Sequence, residues 1–126
     1  MRARRVLPVI ATGLALAAGG LAAPIAAQAA PAGCFPYVTL YVDVNQNTPR
    51  QGNGFCDKNY FNLISSTHDK VSSWHFRGTP GTAACLLDYV TGREVILDRI
   101  VIPSSGGLGQ NVPSWANDRA DAVRLC

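Results

Sequence analysis

The chain has 126 residues, with eleven Lys and Arg against eight Asp and Glu and a formal net charge of +3. Three of those cations, Arg2, Arg4 and Arg5, precede an apolar run over residues 6–23, and without them the balance is eight against eight. A neutral chain of this kind carries no basic stripe for nucleic acid or for an anionic membrane surface.

The opening residues have the form of a secretory signal peptide: a positive start, an apolar stretch, then the A-x-A site Ala27-Gln28-Ala29. Cleavage after Ala29 is expected, since one residue later would leave Pro31 first in the mature chain. Gly13, Gly19, Gly20 and Pro24 argue against a retained membrane anchor, and Pro31 spoils the lipoprotein-like Ala32-Gly33-Cys34. The assignment is therefore 1–29 signal peptide and 30–126 a single secreted, extracellular domain, with no stable membrane insertion of the mature chain. All four cysteines, Cys34, Cys56, Cys85 and Cys126, fall in the exported part. An even number in a small secreted chain implies two disulfides, and no pair has metal-type spacing.

Residues 37–42, Tyr37-Val38-Thr39-Leu40-Tyr41-Val42, are β-branched and aromatic and predict a strand. Asn45-Gln46-Asn47-Thr48-Pro49 is turn chemistry. Gln51-Gly52-Asn53-Gly54 weakens the next segment, so only a short strand is expected around Phe55 and Cys56. An apolar cluster over residues 60–64 leads into a polar loop, and 71–76 is the next strand. Beyond Gly78, Pro80 and Gly81, residues 83–87 predict a strand, 90–93 a turn and 94–102 the longest strand. Residues 103–109 read as a flexible loop, 114–120 as room for one short helical turn, and 122–125 as the last strand.

One pattern occurs twice. His68-Asp69-Lys70-Val71-Ser72-Ser73-Trp74 is matched, forty-nine positions on, by Asn117-Asp118-Arg119-Ala120-Asp121-Ala122-Val123. Leu40-Tyr41-Val42-Asp43 is echoed by Leu86-Leu87-Asp88. Such a period marks an internally duplicated domain, motif one over about 34–77 and motif two over about 82–126. Eight or so short strands in two units predict an all-β sandwich of two packed Greek keys. Its expected core is Val38, Leu40, Val42, Phe61, Leu63, Val71, Trp74, Leu86, Val95, Leu97, Ile100, Trp115 and Val123.

At the duplicated motif the sequence resembles the βγ-crystallin superfamily, and more closely the secreted bacterial peptidase inhibitors on that fold, the Streptomyces metalloproteinase inhibitor type. The likeness spans most of residues 34–126. It departs at the family's aromatic-x4-aromatic-x-Gly hairpin: Tyr41 is followed by Gln46 and Thr48, and in the second half Leu87 replaces the leading aromatic. The resemblance implies calcium loops built from Asp69 and Ser72 in one copy and Asn117, Asp118 and Asp121 in the other. Calcium wants six to eight oxygens, yet His68 brings nitrogen to one loop and Ala122 removes a hydroxyl from the other. The expectation is therefore weak or absent calcium, no other cofactor, and loop closure by side-chain to backbone hydrogen bonds. In a Greek key the first strand begins beside the ends of its two antiparallel neighbours, which pairs Cys34 with Cys56 and Cys85 with Cys126.

No catalytic constellation emerges. His68 and His75 are the available imidazoles; Ser72 and Ser73 lack a nucleophile-elbow context, and Asp43 and Asp88 are explained by duplication. The expectation is a monomeric, non-enzymatic inhibitor of a secreted protease, with a metalloprotease as the target class implied by the resemblance. Its candidate inhibitory loops hold Asn45, Gln46 and Asn47, and Ser104, Ser105, Gly106, Gly107 and Leu108. The alternatives are a non-catalytic extracellular binding or structural domain with a degenerate calcium site, and a secreted antimicrobial or toxin-like protein of the same fold.

Overall fold

Eight strands succeed one another in the computed structural model, which describes residues 34–126. They are β1 (Tyr37–Tyr41), β2 (Pro49–Gly54), β3 (Tyr60–Asn62), β4 (Ser73–Arg77), β5 (Ala83–Val90), β6 (Arg93–Val101), β7 (Gly107–Asn111) and β8 (Ala122–Leu125). A single 3-10 turn, Ser114–Ala116, precedes β8. The expected signal peptide, residues 1–29, lies outside the described residues.

The strands form two antiparallel four-stranded sheets, in the orders β2-β1-β4-β7 and β3-β8-β5-β6. The sheets do not coincide with the sequence halves. Each takes three adjacent strands from one half and one edge strand, β3 or β7, from the other. Between them lies one core in which Val38, Leu40, Trp74, Phe76, Leu86, Ile100 and Val123 are fully buried. Phe55 packs edge-on against Phe76, with ring centroids 6.3 Å apart. The alternation of β1 and β4 puts Val38, Leu40, Trp74 and Phe76 on this inner face and Thr39 and His75 on the outer one. The Trp74 indole is satisfied inside the protein, donating to Asp98 at 2.7 Å.

The β5–β6 turn is two residues, Thr91 and Gly92, both at positive φ, the geometry that matches the natural twist of a hairpin. Two disulfides join Cys34 to Cys56 and Cys85 to Cys126. The first ties the chain before β1 to the segment after β2. The second ties β5 to the residue after β8, and both therefore hold a first strand to a neighbour.

Several expectations need correction. The second strand runs through the Gly- and Asn-rich stretch and ends before Phe55, rather than around Phe55 and Cys56. Residues 107–109 belong to strand β7, not to a loop. Trp115 is not core: the 3-10 turn buries Ala116 and leaves the indole 57% exposed, with the Arg119 guanidinium 5.9 Å from its ring. Val42, Phe61 and Val95 are half-buried at the core's margin. Hydrogen bonds align Tyr41 with Leu87, since Ser72 and Asp121 reach these two carbonyls at 3.0 and 2.8 Å. That register sets Val42 opposite Asp88, so Asp43 and Asp88 are one position out of equivalence.

Candidate functional site

The duplicated loops meet each other. Asp69 N–H donates to Ala120 O at 2.9 Å, and its counterpart Asp118 N–H donates to Val71 O at 3.3 Å. Leu63 N–H reaches Asp121 O at 2.8 Å, and Val112 N–H reaches Ser72 O at 3.0 Å. Each pair is the other shifted by the same forty-nine positions. The shared backbone form depends on Asp69 and Asp118 at φ 55° and 58°. Asp tolerates that left-handed conformation better than most residues because its short side chain bonds locally.

The side chains differ sharply between the copies. His68 Nδ1 lies 3.0 Å from Asp69 Oδ2, and His68 Nε2 lies 2.6 Å from Asp121 Oδ1, so the ring bridges both loops. These three residues bring one ligand atom each within 4.8 Å of one another, with His68 and Asp69 exposed. The other oxygen of Asp121 accepts from Tyr89 N–H at 2.7 Å. Ser72 is buried, Asn117 half-buried and Asp118 exposed. A hard cation taking Asp121 here would have to displace the imidazole, which supplies nitrogen rather than oxygen. The loops therefore hold themselves together through protein groups, with carboxylates engaged by His68 and by backbone.

Ser73 closes a different loop. Its buried hydroxyl donates to Asp43 O at 2.6 Å and accepts from Gln46 N–H at 2.9 Å, fixing residues 43–48 to β4. Asn45 and Gln46 have φ 59° and 56°. Asn45 N–H donates to Asn111 Oδ1 at 2.6 Å, and Asn111 Nδ2 donates back to Asn45 Oδ1 at 3.1 Å. The Asn45, Gln46 and Asn47 loop thus stands at the Asn111 end of β7.

Ser104, Ser105 and Gly106 form the turn at the opposite end, where Gly78 N–H donates to Gly106 O at 2.9 Å. Beside it opens a groove of about 480 Å³ that includes Phe35, Arg77 and Pro80. Gly107 and Leu108, assigned to the same candidate loop, are the first residues of β7. The two candidate loops flank one edge strand: residues 104–106 lead into β7, while residues 45–47 lie beside its later half, with Gln46 against Gly109, a placement that sequence reasoning missed because β7 itself was missed.

His75 lies on the outer face of β4, half-buried against β7. A Cβ on Gly107 would come within 3.1 Å of its ring and of Arg77 Cβ, and a Cβ on Gly109 within 3.1 Å of the ring and 3.0 Å of the Gln46 carboxamide, so glycine suits both positions. Burial, and secondarily the Arg77 charge, hold its pKa below the ordinary 6.5. Among the described hydrogen bonds none joins a Ser or Thr hydroxyl to either histidine.

With this geometry in place, comparison with known proteins adds no relative: no family model, curated protein or solved structure matches the chain. Among the described residues no helix is long and apolar enough to cross a membrane.

Proposed function

We propose that this is a secreted proteinaceous peptidase inhibitor, binding its target stoichiometrically as a monomer, without catalysis, and that a metalloprotease is the target class. The fold belonging to this proposal is two βγ-crystallin-like Greek keys. It is supported by the forty-nine-residue offset of the loop hydrogen bonds and by the exchange of β3 and β7 between sheets.

The observation that carries the reading is the fixing of both candidate loops before any partner arrives. Residues 43–48 are tied to Ser73 and Asn111, and the turn before β7 is tied to Gly78. A preordered contact loses little entropy on binding and is a poor substrate for local unfolding. The disulfides extend the same constraint to both halves.

The test is titration of the purified, oxidised protein against metallo-, serine and cysteine proteases. Inhibition of one class with a one-to-one end point is expected, as is conversion into a substrate after reduction. Absence of inhibition at micromolar protein in all three classes overturns the proposal in favour of an extracellular binding domain.

A further inference from the structure

Three of the four sheet edges carry features that discourage pairing with another chain. β2 opens on Pro49 and Arg50 and has an irregular register with β1. β3 is three residues long and follows Asp57 and Lys58. β6 carries Arg93, Glu94, Asp98 and Arg99, and its ladder with β5 is also irregular. Short length, charge, proline and bulges are the usual guards of an exposed edge. β7 has no charge and no proline, and its register with β4 runs unbroken from Gly107 to Asn111.

The ladder's alternation identifies its free groups. Val112 bonds to Ser72 beyond one end of β7, and Gly106 to Gly78 beyond the other. In an antiparallel pair, residues bonded to the neighbour alternate with residues whose backbone points away. Gly106, Leu108, Gln110 and Val112 therefore face β4 with their backbone groups, while Gly107, Gly109 and Asn111 turn theirs to the open side. The Ser105 hydroxyl reaches the Gly107 carbonyl at 3.2 Å. The outward groups of Gly109 and Asn111 have no partner among the described hydrogen bonds. Residues 107 and 109 carry no side chain of their own; the Gln46 carboxamide lies over the sheet face at Gly109, where a Cβ would meet it at 3.0 Å, and Leu108, opposite Phe76, is 40% exposed beside the edge.

We propose that the β7 edge is a docking site for an extended segment of a partner polypeptide. The segment adds antiparallel to β7 as a fifth strand of the first sheet and sets an apolar side chain against Leu108. The proposal deepens the preceding reading, in which the protein acts by binding another polypeptide. An uncharged edge with open glycine backbone recognises main chain rather than charge, and strand addition is the recognition mode such an edge supports. Two five-residue edges paired in a two-fold dimer bury well under the roughly 1,200 Å² of a stable interface. A segment held by a larger protein can also bring that protein against residues 43–48 and 104–106, which flank the edge.

The test uses the oxidised, exported protein labelled with 15N and the peptide acetyl-Lys-Thr-Val-Thr-Val-Lys-amide as probe. Titration to millimolar peptide is expected to shift the amides of Gly107, Gly109 and Asn111 and to slow their hydrogen exchange. Leu108 and Gln110, already bonded to β4, should change little. Gly109→Pro deletes an outward N–H and no β4 bond, and should weaken the peptide about tenfold, as expected for one or two net hydrogen bonds. Leu108→Lys installs an edge charge and should do the same, and it keeps the test usable if proline at 109 crowds His75. Absence of shifts at those three amides overturns the proposal. So does their protection in the protein alone with a dimer in sedimentation, which would make the occupant a second copy. Peptide pairing without inhibition of any protease would support the edge site and overturn the inhibitor reading. Equal inhibition by wild type and Leu108→Lys would support the inhibitor reading and overturn the edge site.

Discussion

The two copies of the loop share a backbone and little else. Asp69 and Asp118 occupy the same left-handed conformation and donate to equivalent carbonyls. Around that frame, His68, Ser73 and His75 stand where the second copy has Asn117, Ala122 and Arg124. The first copy fastens His68 to the other loop and Ser73 to residues 43–48, and packs His75 close to the glycines of β7. The second presents its Asp121 as acceptor, ties Arg119 to Asp88 and turns Arg124 to Glu94, each 2.6 Å away. The repeated positions share what the main chain needs to turn and pair and differ in what their side chains hold.

The largest test of this asymmetry compares the disulfides. Cys85 and Cys126 are 41 positions apart and Cys34 and Cys56 are 22. Loop-closure entropy gives the longer bridge roughly 4 kcal/mol and the shorter somewhat more than about 3. Replacing each pair with alanines should lower the urea midpoint of both variants, more for the second-half pair. Equal midpoints would mean that loop length does not decide the difference.

Ser73→Ala comes next. It leaves the Asp43 carbonyl and the Gln46 N–H, both part-exposed, without their Ser73 partner, at a cost of about 1 kcal/mol. Ala122→Ser should not give a matching gain, because Ala122 packs with Cys85 and Leu87 rather than under a loop. Denaturant unfolding of the two variants checks this directly.

A smaller effect separates His75 from Arg124. With the folded pKa of His75 held below 6.5, the unfolded chain binds its proton more readily. Stability should therefore fall as pH drops through 6.5 and below, until the folded state is protonated too. His75→Gln should flatten that part of the stability profile, read as melting temperature from pH 7 to 5. A profile unchanged by the substitution would remove His75 as the cause.

The smallest expected change concerns calcium. The wild-type melting temperature should scarcely move until calcium reaches about 10⁻⁴–10⁻³ M, the range of extracellular modules. His68→Asn, which restores the residue type at the matching position of the second loop, should lower the calcium concentration required. Saturation at micromolar calcium in the wild type would mean that the His68 bridge opens readily.

Much of the fold was legible in the residues. β1, β5, β6 and β8 are rich in Val, Ile, Leu and aromatics; alternation marks the buried positions of β1, whereas β5 is buried at six consecutive residues. The pairing of Cys34 with Cys56 and of Cys85 with Cys126 is the one anticipated from the strand order. β2 and β7 are hidden in the sequence because glycine, glutamine and asparagine ordinarily signal a break. In β7 the glycines instead clear space for the His75 ring and, at Gly109, for the Gln46 carboxamide, requirements set by residues distant in the chain. The repeated motif located both loops. That His68 spans them to Asp121 could not be read from either copy, since the contact exists only once the copies pair.

The exchange of edge strands has a further consequence. Neither half can complete a four-stranded sheet from its own residues, because β3 is lent to one sheet and β7 to the other. Losing the order of one half strips a strand from its neighbour, so the two halves should unfold together, in a single transition by calorimetry.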